Sequence, residues 1–301
     1  MEQILITGNG PLRGEVSVAG AKNAALPIIA AALLTPEPLQ LSNVPGVRDI
    51  GTALELLELL GCSVQRSGTE LVIDSADVHS VRAPYELVKT MRGSILLLGP
   101  LLARFGEAYV SLPGGCAIGS RPVNEHIAGL TAMGAEIEID AGYIKAKASR
   151  LRGAHVAFDV PSVTATENLL MAAALADGTT VLENCALEPE VGDLALLLNA
   201  MGARIEGAGT STMSIEGASA LQGTSHRVPP DRIETGTFLV AAAATRGNIR
   251  VTDTNPDFLH HVLGKLEQDG ANLELGPDWI HLDTGAKRCP AVNIHTAPYP
   301  A

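Results

Sequence analysis

Aromatic residues are scarce: one Trp, four Tyr and four Phe make up 3% of the 301 residues. The apolar fraction is nonetheless 46%, which excludes a disordered chain and leaves Ala, Leu, Val and Ile to fill the core. Positive charge is also short, with 21 Lys and Arg against 33 Asp and Glu and a formal net charge of -12. So acidic a chain is a poor general ligand for nucleic acid or an anionic membrane, and cations meant for an anionic substrate must be concentrated locally. The four cysteines, Cys62, Cys116, Cys185 and Cys289, show no CxxC spacing and no metal framework, as a reducing compartment would give. No basic segment followed by an apolar stretch opens the chain. The longest apolar run, residues 24–34, holds Pro27 and falls far short of the ~18 residues that cross a bilayer. The expectation is a soluble cytoplasmic protein of about two domains, with neither metal nor cofactor and no obligatory protein partner.

What the sequence does have is repetition. A helical stripe, a turn glycine and a short hairpin recur at Gly61, Gly134, Gly202 and Gly270, 73, 68 and 68 residues apart. Ala53, Leu56, Leu57 and Leu60 fall at i, i+3, i+4 and i+7, as do Leu194, Leu197, Leu198 and Met201, and Leu259, Val262, Leu263 and Leu266. Glycine at the end suits a left-handed cap. After it the period drops to two, as in Ile137 and Ile139 between Glu136 and Glu138, which is a hairpin with one buried face. A second helix family, within 24–34, 95–103, 169–176 and 238–244, is apolar nearly all round and should be buried on every side. The unit reads βαβαββ over about 70 residues, and several units must pack with the apolar helices inside and the sheets outside. Residues 291–295 look like the opening strand of a fifth unit that then stops, so a C-terminal truncation is expected.

Three places could do chemistry. The segment Pro113-Gly114-Gly115-Cys116-Ala117-Ile118-Gly119-Ser120-Arg121-Pro122 sets one thiol among three glycines before a helix start, where a thiolate is favoured. Cys62, Cys185 and Cys289 lack flanking glycines and read as small buried hydrophobes. Lys22 opens the first all-apolar helix, with Asn23 as a candidate cap. Arg92, and Asp231-Arg232 with Glu234, open two others. Acidic caps explain Asp231 and Glu234, but Lys22, Arg92 and Arg232 oppose the dipole at that end and suggest an anion-binding cleft lined by helix starts. His126, His260 and His261 are expected on the surface or satisfied within helices, because no partner falls at metal spacing. Glu188-Pro189-Glu190 is expected to cap the helix that follows.

Together Gly20-Ala21-Lys22-Asn23-Ala24-Ala25-Leu26-Pro27, the cysteine loop and Pro230-Asp231-Arg232-Ile233-Glu234-Thr235-Gly236-Thr237 resemble the UDP-N-acetylglucosamine enolpyruvyl transferase family over the whole chain. The sister enzyme of the shikimate pathway lacks this cysteine loop. The resemblance implies an inside-out α/β fold of six βαβαββ units in two domains. Residues 22–229 would form a complete three-repeat domain carrying the cysteine loop. Residues 1–21 and 230–301 would form an incomplete second one, a single repeat plus the first strand of the next. It further implies transfer of the enolpyruvyl group of phosphoenolpyruvate to the 3-hydroxyl of UDP-N-acetylglucosamine with release of phosphate. This is the committed step of peptidoglycan synthesis, and hence bears on cell shape and division.

By the same resemblance Lys22, Asn23 and Arg121 hold phosphoenolpyruvate. Arg92, Arg121, Pro122, Val123, Asn124, Glu125, Val160, Pro161, Ser162 and Val163 contact the UDP-sugar. Asp231 and Arg232 mark the hinge, and Cys116 is the proton donor, forms a pyruvate adduct and is the target of fosfomycin. Thr164 stands where many members have glycine, and Asn124 where many have aspartate. The family's general-base aspartate and a further arginine fall beyond Ala301, so a polypeptide of these 301 residues is expected to turn over little. A non-catalytic UDP-sugar-binding paralogue is the alternative.

Overall fold

The computed structural model describes residues 3–89, 91–112, 123–286 and 290–300. The chain divides into a larger compact unit, Gly20–Pro229, and a smaller one made of Met1–Ala19 and Pro230–Ala301.

In the larger unit the described strands form three four-stranded sheets of one design. The first runs in the order β13 (Ser225–Arg227), β2 (Leu39–Ser42), β4 (Glu70–Asp74) and β3 (Ser63–Ser67). The second runs β5 (Arg82–Ala83), β6 (Glu107–Ser111), β8 (Tyr143–Lys147) and β7 (Glu136–Asp140). The third is β9 (His155–Ala157), β10 (Thr179–Glu183), β12 (Thr212–Glu216) and β11 (Arg204–Glu206). Each opens with a parallel pair and closes with an antiparallel hairpin. A parallel pair needs a crossover, and the apolar helices supply it within the second and third sheets. The opening strand of the first sheet is β13, from the far end of the unit's sequence. The strand that precedes the first helix, β1 (Arg13–Ser17), pairs instead with β14 (Asn248–Thr252) in the smaller unit.

The helices of the larger unit are α1 (Lys22–Ala31), α2 (Arg48–Leu60), the short α3 (Tyr85–Val88), α4 (Leu98–Phe105), α5 (Asn124–Ala132), α6 (Val163–Ala173) and α7 (Pro189–Ala200). A 3-10 turn at Ala32–Leu34 extends α1, and another at Arg92–Leu97 leads into α4, so the first third of the expected helix at 95–103 is 3-10. Ile28, Ile29, Leu33, Leu101, Leu169 and Leu170 belong to one continuous core and are fully or almost fully buried. Each such side chain contributes ~1.5–3 kcal/mol through its burial. The sheets lie outside, with Leu71 and Ile73 of β4 turned in and Glu70 exposed.

The turn glycines sit where a side chain is disfavoured. Gly61, Gly134, Gly202 and Gly270 have φ of 109°, 92°, 103° and 86°. A Cβ on Gly61 would also lie 2.3 Å from His79 Nδ1.

The smaller unit has one described sheet of the same design, in the order β1, β14, β16 (Trp279–Asp283) and β15 (Asn272–Leu275). It is backed by α8 (Arg232–Ala244) and α9 (His260–Gln268), and Leu239, Val251, Leu263, Ile280 and Leu282 form its core. Two expectations fail here. The helix at 238–244 is not buried all round, since Ile233 and Val240 of α8 are each 51% exposed. One sheet and α9 cover one face of α8 and leave the other open. Residues 291–295 form no strand: they pair with no sheet edge, and Val292 and Ile294 lie instead along a groove with Val262 and Leu266 of α9. Among the described residues no helix is long and apolar enough to cross a membrane.

Candidate active site

Within the larger unit α1, the turn opened by Arg92, α4, α5 and α6 pack against one another. A Cβ added to Gly93 would lie 3.0 Å from Leu26 Cδ1, which places the turn opened by Arg92 against the second turn of α1. Gly99 N–H donates to Asn168 Oδ1 at 2.7 Å, tying α4 to α6. On Gly129 of α5 a Cβ would meet Leu169 Cδ1 at 2.2 Å, so α5 lies hard against α6.

Lys22 is the first residue of α1, and its Nζ donates to Asp49 Oδ2 at 3.0 Å. Asp49 sits in the first turn of α2, where its carboxylate favours the helix dipole. Sequence reasoning missed Asp49; an acidic residue just inside a helix start was the available signal. Asn23 does not cap α1. The cap position belongs to Ala21, which offers no side-chain bond, and Asn23 lies exposed in the first turn. Gly20 is confined there, since a Cβ would fall 1.8 Å from the Asn43 carbonyl oxygen.

The start of α6 is held from several sides. Ser162 Oγ accepts from Ala165 N–H, and the Ser162 carbonyl accepts from Thr166 Oγ1 at 2.8 Å. Thr166 Oγ1 in turn accepts from Ala186 N–H at 3.2 Å. Val160 and Pro161, just ahead, are exposed. Val123 precedes α5, Asn124 and Glu125 occupy its first turn, and Asn124 is exposed. His126, two residues on, is 2% exposed. Burial, then the positive charge of Arg92, pushes its pKa down to about 4. Arg92 thus stands close to the junction of α5 and α6. Cys116, Arg121 and Pro122 lie outside the described residues, as does Cys289.

Two further buried carboxylates are Glu167 of α6 and Glu190 of α7. Glu167 is 1% exposed and its Oε1 has no hydrogen-bond partner among the described residues. Burial first, then the charges of Glu190 and Glu188, raises its pKa well above the usual carboxylate range. Glu190 lies buried in the first turn of α7, where Pro189 starts the helix, and Glu188 at the cap position makes no capping bond with its side chain. The expected turn Glu188-Pro189-Glu190 thus does start α7, through the preset backbone of Pro189 and without a side-chain bond from Glu188.

Cys62 and Cys185 are buried free thiols. Burial pushes Cys62 up to about 12, against the opposing pull of Arg104, and Cys185 up to about 11. Both stay protonated at neutral pH and are inert as nucleophiles. Among the described residues no cluster of His, Cys, Asp and Glu could hold a metal ion.

In the smaller unit Asp231 Oδ1 accepts from the N–H groups of Ile233 and Glu234, capping α8. Glu234 Oε2 accepts from Ala19 N–H at 2.9 Å. The Arg232 guanidinium lies over the Tyr299 ring, 4.9 Å from its centroid.

Comparison with known proteins adds a family. The profile of the EPSP synthase (3-phosphoshikimate 1-carboxyvinyltransferase) family matches residues 6–301. The UDP-N-acetylglucosamine 1-carboxyvinyltransferase of Halorhodospira halophila is 59% identical over 301 residues, covering 100% of this chain and 72% of its own length. That of Shewanella amazonensis is 60% identical over 302 residues, and that of Cellvibrio japonicus 57% over 303, with the same coverage. Among solved structures, the enolpyruvyl transferase NikO from Streptomyces tendae superposes with a TM-score of 0.81 at 24% identity, over 92% of this chain and 66% of that one. EPSP synthase from Acinetobacter baumannii gives 0.71 at 22% identity with the same coverage. These likenesses establish the fold, the inside-out α/β architecture, over about two thirds of the length of the solved chains.

Proposed function

The chain belongs to the EPSP synthase family of enolpyruvyl (1-carboxyvinyl) transferases and, within it, groups with the UDP-N-acetylglucosamine 1-carboxyvinyltransferases, and on that footing we propose that it moves the enolpyruvyl group of phosphoenolpyruvate to the 3-hydroxyl of UDP-N-acetylglucosamine. The sugar oxygen bonds to C2 of phosphoenolpyruvate as its proton passes to a base, and C3 takes up a proton. Loss of a proton from C3 then expels inorganic phosphate from C2 and restores the double bond.

Both substrates are anionic, while the chain carries a net charge of -12. The reaction therefore needs local cations. Lys22, Asn23 and Arg121 hold the carboxylate and phosphate of phosphoenolpyruvate. Arg92, Arg121, Pro122, Val123, Asn124, Glu125 and the run Val160, Pro161, Ser162 and Val163 receive the UDP-sugar, its diphosphate near the start of α6, the end at which the helix dipole favours an anion. Cys116 delivers the proton to C3, a role that Cys62 and Cys185, raised to about 12 and about 11, are unsuited to fill. Asp231 and Arg232 belong to the hinge. The product feeds peptidoglycan synthesis in the cytoplasm, a placement supported by the two buried free thiols.

The observation that carries the reading is the packing of the turn opened by Arg92 against both α1, which Lys22 opens, and α6. Its test is release of phosphate that requires both phosphoenolpyruvate and UDP-N-acetylglucosamine, measured on a chain extended to the full length of the relatives, of which these 301 residues span 72%. Lys22→Ala and Cys116→Ser are expected to lower that rate by roughly 100-fold or more. Fosfomycin should add to Cys116 by mass spectrometry, and adducts confined to Cys62 or Cys185 would count against the assignment. UDP-sugar binding by calorimetry with no phosphate released would favour a binding protein instead.

A further inference from the structure

His126 closes a buried chain of hydrogen bonds whose direction is fully determined. Gly99 N–H donates to Asn168 Oδ1 at 2.7 Å, so the other end of that amide is its NH2 group. That group, Asn168 Nδ2, lies 2.9 Å from His126 Nδ1, which must therefore accept. A neutral imidazole that accepts at Nδ1 carries its proton on Nε2. His126 Nε2 lies 3.2 Å from Thr164 Oγ1, so the ring donates to that hydroxyl. The charge of Arg92 and the burial of the ring both favour this neutral form. Thr164 is in the first turn of α6, directly after Ser162 and Val163.

We propose that His126 is a positioning residue for the UDP-sugar: by donating from Nε2 to the Thr164 hydroxyl it fixes the start of α6, and with it Ser162 and Val163. This rests on the function proposed above. The Thr164 hydroxyl is thereby committed inward to α5, and the surface of α6 turned toward the sugar nucleotide is set by a residue that touches no substrate. Ser162 and Thr166 close the first turn of α6 on itself, and among the described residues the bond from His126 to Thr164 is what ties it to α5.

Two variants separate the halves of the ring. In His126→Gln the terminal amide can still donate to Thr164 while the acceptor for Asn168 is lost. In His126→Asn the acceptor for Asn168 is kept while the donor to Thr164 is lost. UDP-N-acetylglucosamine Kd, read by calorimetry on the full chain, is expected to weaken by about fivefold to tenfold in His126→Asn and to stay within about twofold in His126→Gln. Thr164→Val should match His126→Asn, and the double variant should be no worse than either single one. Equal weakening in both His126 variants, or an unchanged Kd in Thr164→Val, overturns the proposal. If the unaltered chain binds no UDP-N-acetylglucosamine, the proposed function fails by itself. Hydrogen exchange at Ala165 and Thr166 then decides the positioning role: faster exchange in His126→Asn but not in His126→Gln keeps it, and equal exchange removes it.

Discussion

α6 and α8 are similar in composition yet live in different surroundings. Both mix Ala and Thr with larger apolar side chains. Every residue of α6 from Ala165 to Ala173 is buried, whereas α8 buries Leu239, Ala242 and Ala243 but leaves Ile233 and Val240 half in solvent. The difference lies in the neighbours. α6 is packed by α4, α5, α7 and the 3-10 turn before α4, while α8 has one sheet and α9. An apolar helix announces a need for burial, and the number of elements around it decides how far that need is met.

The sharpest way to break this comparison is to cut both helices alike. Leu170→Ala in α6 removes a fully buried side chain and should cost about 2–5 kcal/mol in urea unfolding. Val240→Ala in α8 should change stability by less than ~1 kcal/mol, since half its surface is already wet. A loss of several kcal/mol at Val240 would mean that the open face of α8 is covered in solution.

A second contrast lies inside the larger unit, between two buried titratable groups of opposite sense. His126 titrates at about 4 in the folded chain against 6.5 as its ordinary value. Its folded form therefore binds the proton more weakly than the unfolded chain does. The stability it contributes is present above pH 6.5 and is lost as the pH falls through 4, a total of about 3 kcal/mol. His126→Asn, which cannot titrate, should flatten the urea midpoint across that window.

Glu167 runs the other way. Its folded pKa is raised, so its contribution is complete below pH 4.5 and is lost as the pH rises toward the folded value. Glu167→Gln should be more stable than the unaltered chain at pH 8 by more than ~1 kcal/mol, and no more stable at pH 4. A variant destabilised at both pH values would show that the carboxyl makes bonds an amide cannot replace.

These contrasts also mark how much was legible in sequence. The stripe Ala53, Leu56, Leu57 and Leu60 forecast α2 and its buried face, and the turn glycines at its end and its counterparts all take left-handed φ. Both follow from local geometry. The swap of opening strands between β1 and β13 has no local signature, because β1 and β13 are equally acceptable as parallel neighbours of a strand. His126 passed for an ordinary helix residue since its partners, Asn168 and Thr164, are 42 and 38 residues away. Asn23 looked like a cap, but caps depend on the residue where the chain turns, and that is Ala21. For Cys116 and Arg121 the reading rests on the motif alone, as they lie outside the described residues.

The smallest expected effect compares two cations that open helices, one in each unit. Lys22 is paired with Asp49 across 3.0 Å, and Arg232 lies over Tyr299 at 4.9 Å. Both contacts are open to solvent, where an ion pair gives ~0.2–1 kcal/mol and a cation–π contact ~0.5–1 kcal/mol. They should nonetheless respond differently to salt. An exposed ion pair is screened at about 1 M salt, so Asp49→Asn should lower the urea midpoint of the larger unit at low salt and leave it unchanged at high salt. Tyr299→Ala should lower that of the smaller unit under both conditions, because ring contact includes apolar area that salt does not screen. If Asp49→Asn costs more than about 2 kcal/mol at either salt concentration, the carboxylate is holding the first turn of α2 as well as Lys22, and the two helix starts are one structural element.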